Sequence, residues 1–281
     1  MTSKDNKPSN TPTPKGRLIL MPCTLDLGAI PEGAPQPSVQ DTIPLQALQL
    51  AAGLTHWVAE NAKTARSFLK RVDAVVPLST PLQGLDIQTL PRPVKGGQND
   101  AQKLAGKQPG AGATGVSPWK ALLGPALQGH DVGLISEAGL PGVADPGCEL
   151  VWAAHQAGIT VMPLSGPSSL VLAISASGLN GQSFAFHGYL PTDDEQRAQR
   201  IQAMELVSRK QHQTQLVIET PYRNAALFDA LVRTLHPHTR LALACGVTLE
   251  QGWCQTRTVA AWREHPVTWP DNVPCVFAWL A

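Results

Sequence analysis

The chain has almost no charge imbalance. Its 281 residues carry 22 Lys plus Arg against 21 Asp plus Glu, a formal net charge of +1. No global positive field gathers nucleic acid, so contact with RNA would need a local patch, and DNA is not expected as a partner. Long apolar runs are also missing. No stretch is long enough to span a bilayer and none near the start resembles a signal peptide, so neither a membrane partner nor export is expected. The five cysteines (Cys23, Cys148, Cys245, Cys254 and Cys275) are odd in number and not closely spaced. That argues for a reducing, cytoplasmic setting over a disulfide framework. There is no Cys-x-x-Cys pair and no helical His-x-x-x-His pair, so no structural zinc site is expected. A Ser-His-Asp or Cys-His signature is absent as well, and so is any internal repeat.

What is present is a core. Hydrophobic residues make up 43% of the chain, enough for one large or two small domains. The organising stretch runs from Gly133 to Leu172 and reads strand, loop, helix, strand, loop, helix. Val132 to Ile135 is a short apolar run fit for a buried parallel strand. It breaks into Ser136-Glu137-Ala138-Gly139-Leu140-Pro141-Gly142, where glycine and proline forbid regular structure and let a ligand approach the backbone. Asp145-Pro146-Gly147 reads as a helix start, with Asp145 as cap and Pro146 in the first turn. Ile159 to Leu164 is the next strand, and Ser165-Gly166-Pro167-Ser168 starts a helix that Gly178 ends. Two consecutive strand ends thus open into small-residue loops. In a parallel sheet such loops lie at the carboxyl edge, where ligands bind. The plain alternative is a pair of ordinary turns.

These residues carry a resemblance. Glu137-Ala138-Gly139-Leu140-Pro141, Asp145-Pro146-Gly147, Pro163-Leu164-Ser165-Gly166-Pro167-Ser168-Ser169, Ser177-Gly178-Leu179 and Phe186-His187-Gly188-Tyr189-Leu190-Pro191 follow one another in the order of the tetrapyrrole methylase superfamily. This superfamily contains S-adenosylmethionine-dependent methyltransferases, and the chain is most similar to the branch that methylates ribose 2'-hydroxyls of small-subunit ribosomal RNA. The resemblance covers roughly residues 130 to 225. It implies an α/β protein with two α/β domains, 16–181 and 182–281, and a cofactor cleft between them. It also implies a homodimer, with RNA or a small molecule as methyl acceptor and S-adenosyl-L-methionine as cofactor.

The resemblance assigns site residues too. Pro22 follows a first strand, Arg17 to Met21, in the loop where the family helps hold the cofactor. Ser136, Glu137, Ala138, Gly139, Leu140, Val143, Ala144, Asp145, Ser168 and Ser169 line the cofactor cleft. Thr220, Pro221 and Val247 complete it at the adenosine end. A hydroxyl acceptor needs a base as it attacks. Glu60 and Asp145 are the candidates, with Glu137, Glu219 and His187 as other groups near strand ends. The rival functions are a tetrapyrrole or other small-molecule methyltransferase, and a cofactor-binding protein without catalysis.

The rest of the chain reads more simply. Residues 1–15 are polar and proline-rich, a disordered tail. After Glu60-Asn61, the spacing of Ala65, Phe68, Leu69 and Val72 predicts an amphipathic helix. Its Lys63, Arg66 and Lys70 share another face, which is either a solvated surface or a phosphate-binding patch. Residues 79–117 lack periodicity, so an irregular insert is expected over about 80–115. Thr192 to Glu195 has a capping-box pattern. Leu216 to Glu219, Leu241 to Ala244, Gln255 to Ala260 and Cys275 to Trp279 read as strands, and Ala225 to Leu235 as a helix.

Overall fold

The computed structural model describes residues 14–26, 28–30, 33–91, 117–265 and 267–281. The tail expected over 1–15 falls almost wholly outside these residues. The described part of the chain forms two α/β units, each built on a five-stranded sheet. One takes in residues up to 21 together with 46–136 and 145–164; the other takes in 22–45, 137–144 and 165–281.

The first unit holds β1 (Arg17–Met21), β2 (His56–Ala59), β3 (Asp86–Thr89), β4 (Val132–Ile135) and β5 (Thr160–Pro163), in the order β3-β2-β4-β1-β5. All four pairings are parallel. The crossovers include α1 (Leu45–Gly53), α2 (Ala62–Asp73), the short helices α3 (Pro118–Leu122) and α4 (Gly124–Leu127), and α5 (Cys148–Gln156). β4 lies at the centre and all four of its residues are buried, as its uninterrupted apolar run requires. At the other end of β4 and β1, the Arg17 amide donates to Asp131 Oδ1 at 2.7 Å and its guanidinium also bonds the Asp131 carboxylate. That guanidinium holds the Asp131 carboxyl below its ordinary range. α2 buries Ala65, Phe68, Leu69 and Val72, the stripe read from the sequence. Asn61 caps it, accepting from the Lys63 amide at 2.9 Å.

The second unit holds β6 (Phe184–Phe186), β7 (Thr214–Glu219), β8 (Arg240–Cys245), β9 (Trp253–Thr258) and β10 (Cys275–Leu280), in the order β6-β7-β10-β8-β9. Only β6 and β7 run parallel. The period of two sorts its side chains between opposite faces. Leu216, Ala242, Ala244, Val276 and Ala278 pack with Leu170, Ala173 and Ile174 of α6 (Ser169–Ser177). Val217, Leu241, Leu243, Phe277 and Trp279 pack with residues of α7 (Asp194–Gln211), α8 (Asn224–Thr234) and α9 (Val259–Glu264).

Four local expectations are corrected. The helix after the central loop begins at Cys148 with Gly147 as its N-cap, so Asp145 does not cap it. Gly147 has φ 131°, which glycine alone takes without strain. The long helix after β6 is capped by Asp193, which accepts from the Gln196 amide, rather than by a Thr192 box. The strand expected over 255–260 is β9 two residues earlier, and α9 follows at once, capped by the Thr258 hydroxyl. The insert expected over 80–115 contains an ordered edge strand, β3, bonded to β2; its polar, weakly periodic sequence hides a strand held by backbone bonds. Residues 92–116 of that insert lie outside the described residues.

Cys245 and Cys275 stand opposite each other in the β8/β10 register, and the Cys275 thiol donates to the Val276 carbonyl at 3.6 Å. Burial pushes the Cys275 thiol well up. Among the described residues no helix is long and apolar enough to cross a membrane.

Gly133 of β4 lies under the Trp57 indole. A Cβ there would come within 2.5 Å of the ring. Overpacking of this kind costs about 1–3 kcal/mol. Gly133→Ala is therefore expected to lower the urea midpoint by that equivalent with an unchanged slope; an unshifted midpoint would show that the indole is not held there.

Candidate cofactor-binding site

Three loops of the second unit follow, in the chain, the carboxyl ends of β1, β4 and β5. They are tied to one another by backbone. The Cys23 amide donates to the Gly139 carbonyl at 2.8 Å, and the Gly139 amide donates to the Cys23 carbonyl at 3.1 Å. Gly139 sits at φ 69°, the left-handed region that costs other residues roughly 1–2 kcal/mol. The third loop packs on the first through Gly166, where a Cβ would come within 2.1 Å of the Pro22 Cβ. At Gly139 an added Cβ would meet Leu25 Cδ2 at 3.4 Å and the Pro167 carbonyl at 3.6 Å. Pro22, Gly139, Gly166 and Pro167 are thus brought together around one point.

The loop continues through Leu140, whose carbonyl accepts from the Val143 amide at 3.2 Å. Ala144 is held at φ 65°, a strained position for a residue with a side chain. Val143 leaves 43% of its surface exposed. Ser168 holds the N-cap position of α6 with extended backbone, yet its hydroxyl makes no cap bond. Ser169 is the first residue of that helix.

Two further candidate segments, Thr220-Pro221 and Val247, sit at one edge of the second sheet. Glu219 and Cys245 are both in register with Cys275, so the segments after β7 and β8 leave the same side. Glu219 is buried and fully engaged: Oε1 accepts from the Thr220 amide at 2.8 Å, and Oε2 pairs with Arg223 at 3.1 Å. It fixes the 3-10 turn of Pro221–Arg223 and is not placed as a free base. The Gly246 amide donates to the Pro274 carbonyl at 2.9 Å and sets where Val247 begins.

In the first unit, Glu60 and Ser136 follow paired residues, Ala59 and Ile135. The Glu60 amide donates to the Ile135 carbonyl at 3.1 Å. Glu60 is half-buried and Ser136 buried. Asp145 is half-buried in the turns before α5. His187 has both ring nitrogens occupied, Nε2 with Gln215 Oε1 at 2.7 Å and Nδ1 with Arg200 at 3.3 Å. Burial pushes its pKa down. The imidazole is therefore neutral, donating from Nε2 and accepting at Nδ1, which suits a structural role.

Sequence reasoning did not single out Cys23, Leu25, Gly166 or Pro167 as site residues. Only the small size of Gly166 beside Ser168 hinted at a close approach. The pairing of loops far apart in the chain leaves no spacing to read.

The cradle has features that suit a small polar ligand with an apolar face. A left-handed glycine brings backbone close, Val143 offers apolar surface, and the Ser168 hydroxyl is not used by its own helix. These residues fit S-adenosylmethionine.

The chain is similar in part to ribosomal RNA methyltransferases and shares its fold with a solved methyl transferase structure. It is 38% identical over 141 residues to the ribosomal RNA small subunit methyltransferase I of Mesorhizobium japonicum, covering 50% of this chain and 47% of that protein. It is 35% identical over 127 residues to the protein of the same name from Vibrio cholerae, covering 45% of this chain and 43% of that one. The chain spans about half the length of the curated relatives it matches. Its fold is shared with the uroporphyrin III C-methyl transferase of Thermus thermophilus at a TM-score of 0.50 and 15% identity, over 94% of this chain and 97% of that one. No protein-family model matches the chain.

The contact of Gly166 with Pro22 can be tested directly. Gly166→Ala is expected to cost about 1–3 kcal/mol of stability. Pro22→Gly in the same background removes both side-chain atoms that the new methyl meets, so it should recover part of the loss. Strictly additive effects in this double-mutant cycle, read from denaturant midpoints, would show that the loops do not touch there.

Proposed function

We propose that the protein is an S-adenosylmethionine-dependent methyltransferase whose acceptor is a ribose hydroxyl of RNA. The observation that carries this reading is the backbone bridge between Cys23 and Gly139. It joins the first loop to the loop of Glu137 to Pro141, and the chain is similar over about half its length to proteins named as ribosomal RNA small subunit methyltransferase I. The proposed cofactor residues are Pro22, Ser136, Glu137, Ala138, Gly139, Leu140, Val143, Ala144, Asp145, Ser168, Ser169, Thr220, Pro221 and Val247.

Bound there, the cofactor supplies an electrophilic methyl group. The chain's own work is to hold the acceptor oxygen close and in line, which contributes much of the rate in such displacements. Glu60 and Asp145 are the proposed acceptors of the hydroxyl proton, since each is a half-buried carboxylate, Glu60 directly after β2 and Asp145 in the turns before α5. Gly139 acts by shaping the loop, because its amide and carbonyl are both committed to Cys23. The same resemblance supports a homodimer and a cytoplasmic setting as parts of the proposal.

Ligand binding to the folded state alone stabilises it by about 2.7 kcal/mol at a hundredfold excess over Kd. S-adenosylmethionine is therefore expected to raise Tm by several degrees. Gly139→Val, shown to be folded, is expected to lose that shift, because a branched residue resists φ 69°. Labelled methyl should be recovered in total RNA and not in a small-molecule extract. No Tm shift and no calorimetric heat in the parent protein would remove the assignment.

Lys63, Arg66 and Lys70 are exposed on α2 and supply the local positive patch that the net charge does not. Replacing all three with Gln should weaken RNA binding and reduce the slope of its logarithm against log salt by up to about 2–3, at ~0.7–0.9 per lost phosphate contact. An unchanged slope would place the RNA elsewhere.

A further inference from the structure

The second unit has a cavity lined by none of the residues assigned above. It lies against β9, the edge strand of its sheet, and has a volume of about 390 Å³. Trp253, Gln255 and Arg257 line it from alternate positions of β9, and Trp262, Glu264 and His265 line it from α9 and the residue beyond. The size suits a nucleobase with its sugar, at the small end of ordinary ligand sites.

Its chemistry is unusual for a surface hollow. The Arg257 guanidinium lies 5.2 Å from the centre of the Trp262 ring. Its Nε is buried and has no hydrogen-bond partner, and among the described residues no carboxylate pairs with it. Among the described residues no hydrogen bond holds its terminal nitrogens either, so the outer fork of the guanidinium is left to a ligand acceptor. Trp262 is fixed in place, since its Nε1–H donates to the Leu241 carbonyl at 2.8 Å. Trp253 is half-buried and lines the cavity. His265 Nδ1 lies 2.7 Å from the Ala261 carbonyl. That contact makes Nδ1 the donor and leaves Nε2 as an acceptor in the neutral ring.

One wall thus offers a flat aromatic surface, one a guanidinium in need of acceptors, and one the acceptors of Glu264 and His265. A phosphate fits poorly beside Glu264. An adenine offers only one acceptor beside a donor on the edge that an arginine reads. Guanine matches: O6 and N7 accept from an arginine fork, N1–H and the N2 amino group donate to a carboxylate, and the ring stacks on an aromatic plane.

We propose that this cavity binds an unpaired guanine base, stacked on Trp253 and read by Arg257, and that it holds the RNA substrate through residues other than those proposed for cofactor binding and methyl transfer. The proposal rests on the reading of the acceptor as RNA. The guanine chemistry is common to an RNA base and a free guanine nucleotide, and the test separates the two sources.

The parent protein and the variants Trp253→Leu and Arg257→Gln, each checked for an unchanged Tm, are titrated with GMP, AMP and UMP by tryptophan fluorescence and calorimetry. GMP is expected to bind in preference to AMP and UMP. Each variant is expected to weaken it about tenfold, the size of one lost base contact. Methyl transfer to RNA is then measured at saturating S-adenosylmethionine. Both variants are expected to raise KM for RNA with kcat unchanged, and to leave the Tm shift by the cofactor intact. No GMP binding by the parent, or equal binding of all three nucleotides, overturns the proposal. RNA methylation with the parent KM in both variants also overturns it, while leaving the methyltransferase reading in place. GMP binding lost in both variants, with no RNA methylation by the parent, would remove the RNA acceptor and make this a site for a free guanine nucleotide.

Discussion

The candidate site depends on one pair of backbone hydrogen bonds. Cys23 and Gly139 exchange N–H and C=O, at 2.8 and 3.1 Å, and so join loops that follow two different strands. Gly139 can do this because it occupies φ 69° without a side chain to strain. The third loop joins through Gly166, which has room for Pro22 only because it carries no Cβ. The fixed ring of Pro22 and the two glycines together define the first loop. A rigid residue packed against small ones gives a defined loop where a flexible one would need a ligand to order it.

The second unit reaches order by alternation. Small residues such as Ala242, Ala244 and Ala278 face α6, and large ones such as Leu243, Phe277 and Trp279 face the three other helices. Helix α6 can lie against its sheet because the sheet residues there are small. At the sheet edge, Glu219 anchors both the Thr220 amide and Arg223. A group read from the sequence as a possible base is thereby a brace for the turn that presents Thr220 and Pro221. His187 is likewise consumed by Gln215 and Arg200. Their removal from the list of bases narrows the candidate proton acceptors to carboxylates on other segments.

Much of the fold was legible. The buried run of Val132 to Ile135, the stripe of α2 and the helix stop at Gly178 follow from local periodicity and local backbone preference, which a sequence states directly. β3 was not legible, because an edge strand is held by backbone bonds to β2 and its side chains carry little pattern. The start of α5 was misplaced by the strong capping signal of Asp145-Pro146; the turns that precede it run on to Gly147. The first two residues of α9, Val259 and Ala260, were read as the end of a strand because they are apolar and follow Thr256 and Thr258, and only the Thr258 cap and the burial of Trp262 decide the change.

The sequence by itself determined the order of the motifs, the two α/β halves and the small-residue loops, since each depends on residues adjacent in the chain. Tertiary structure decided which residues meet. The Cys23–Gly139 bridge, the seat of Pro22 on Gly166, the facing thiols of Cys245 and Cys275, and the hollow between Trp253 and Arg257 are contacts across strands, loops or a helix that no local spacing records. Strand register and loop closure set them, and both are properties of the whole sheet rather than of any one segment.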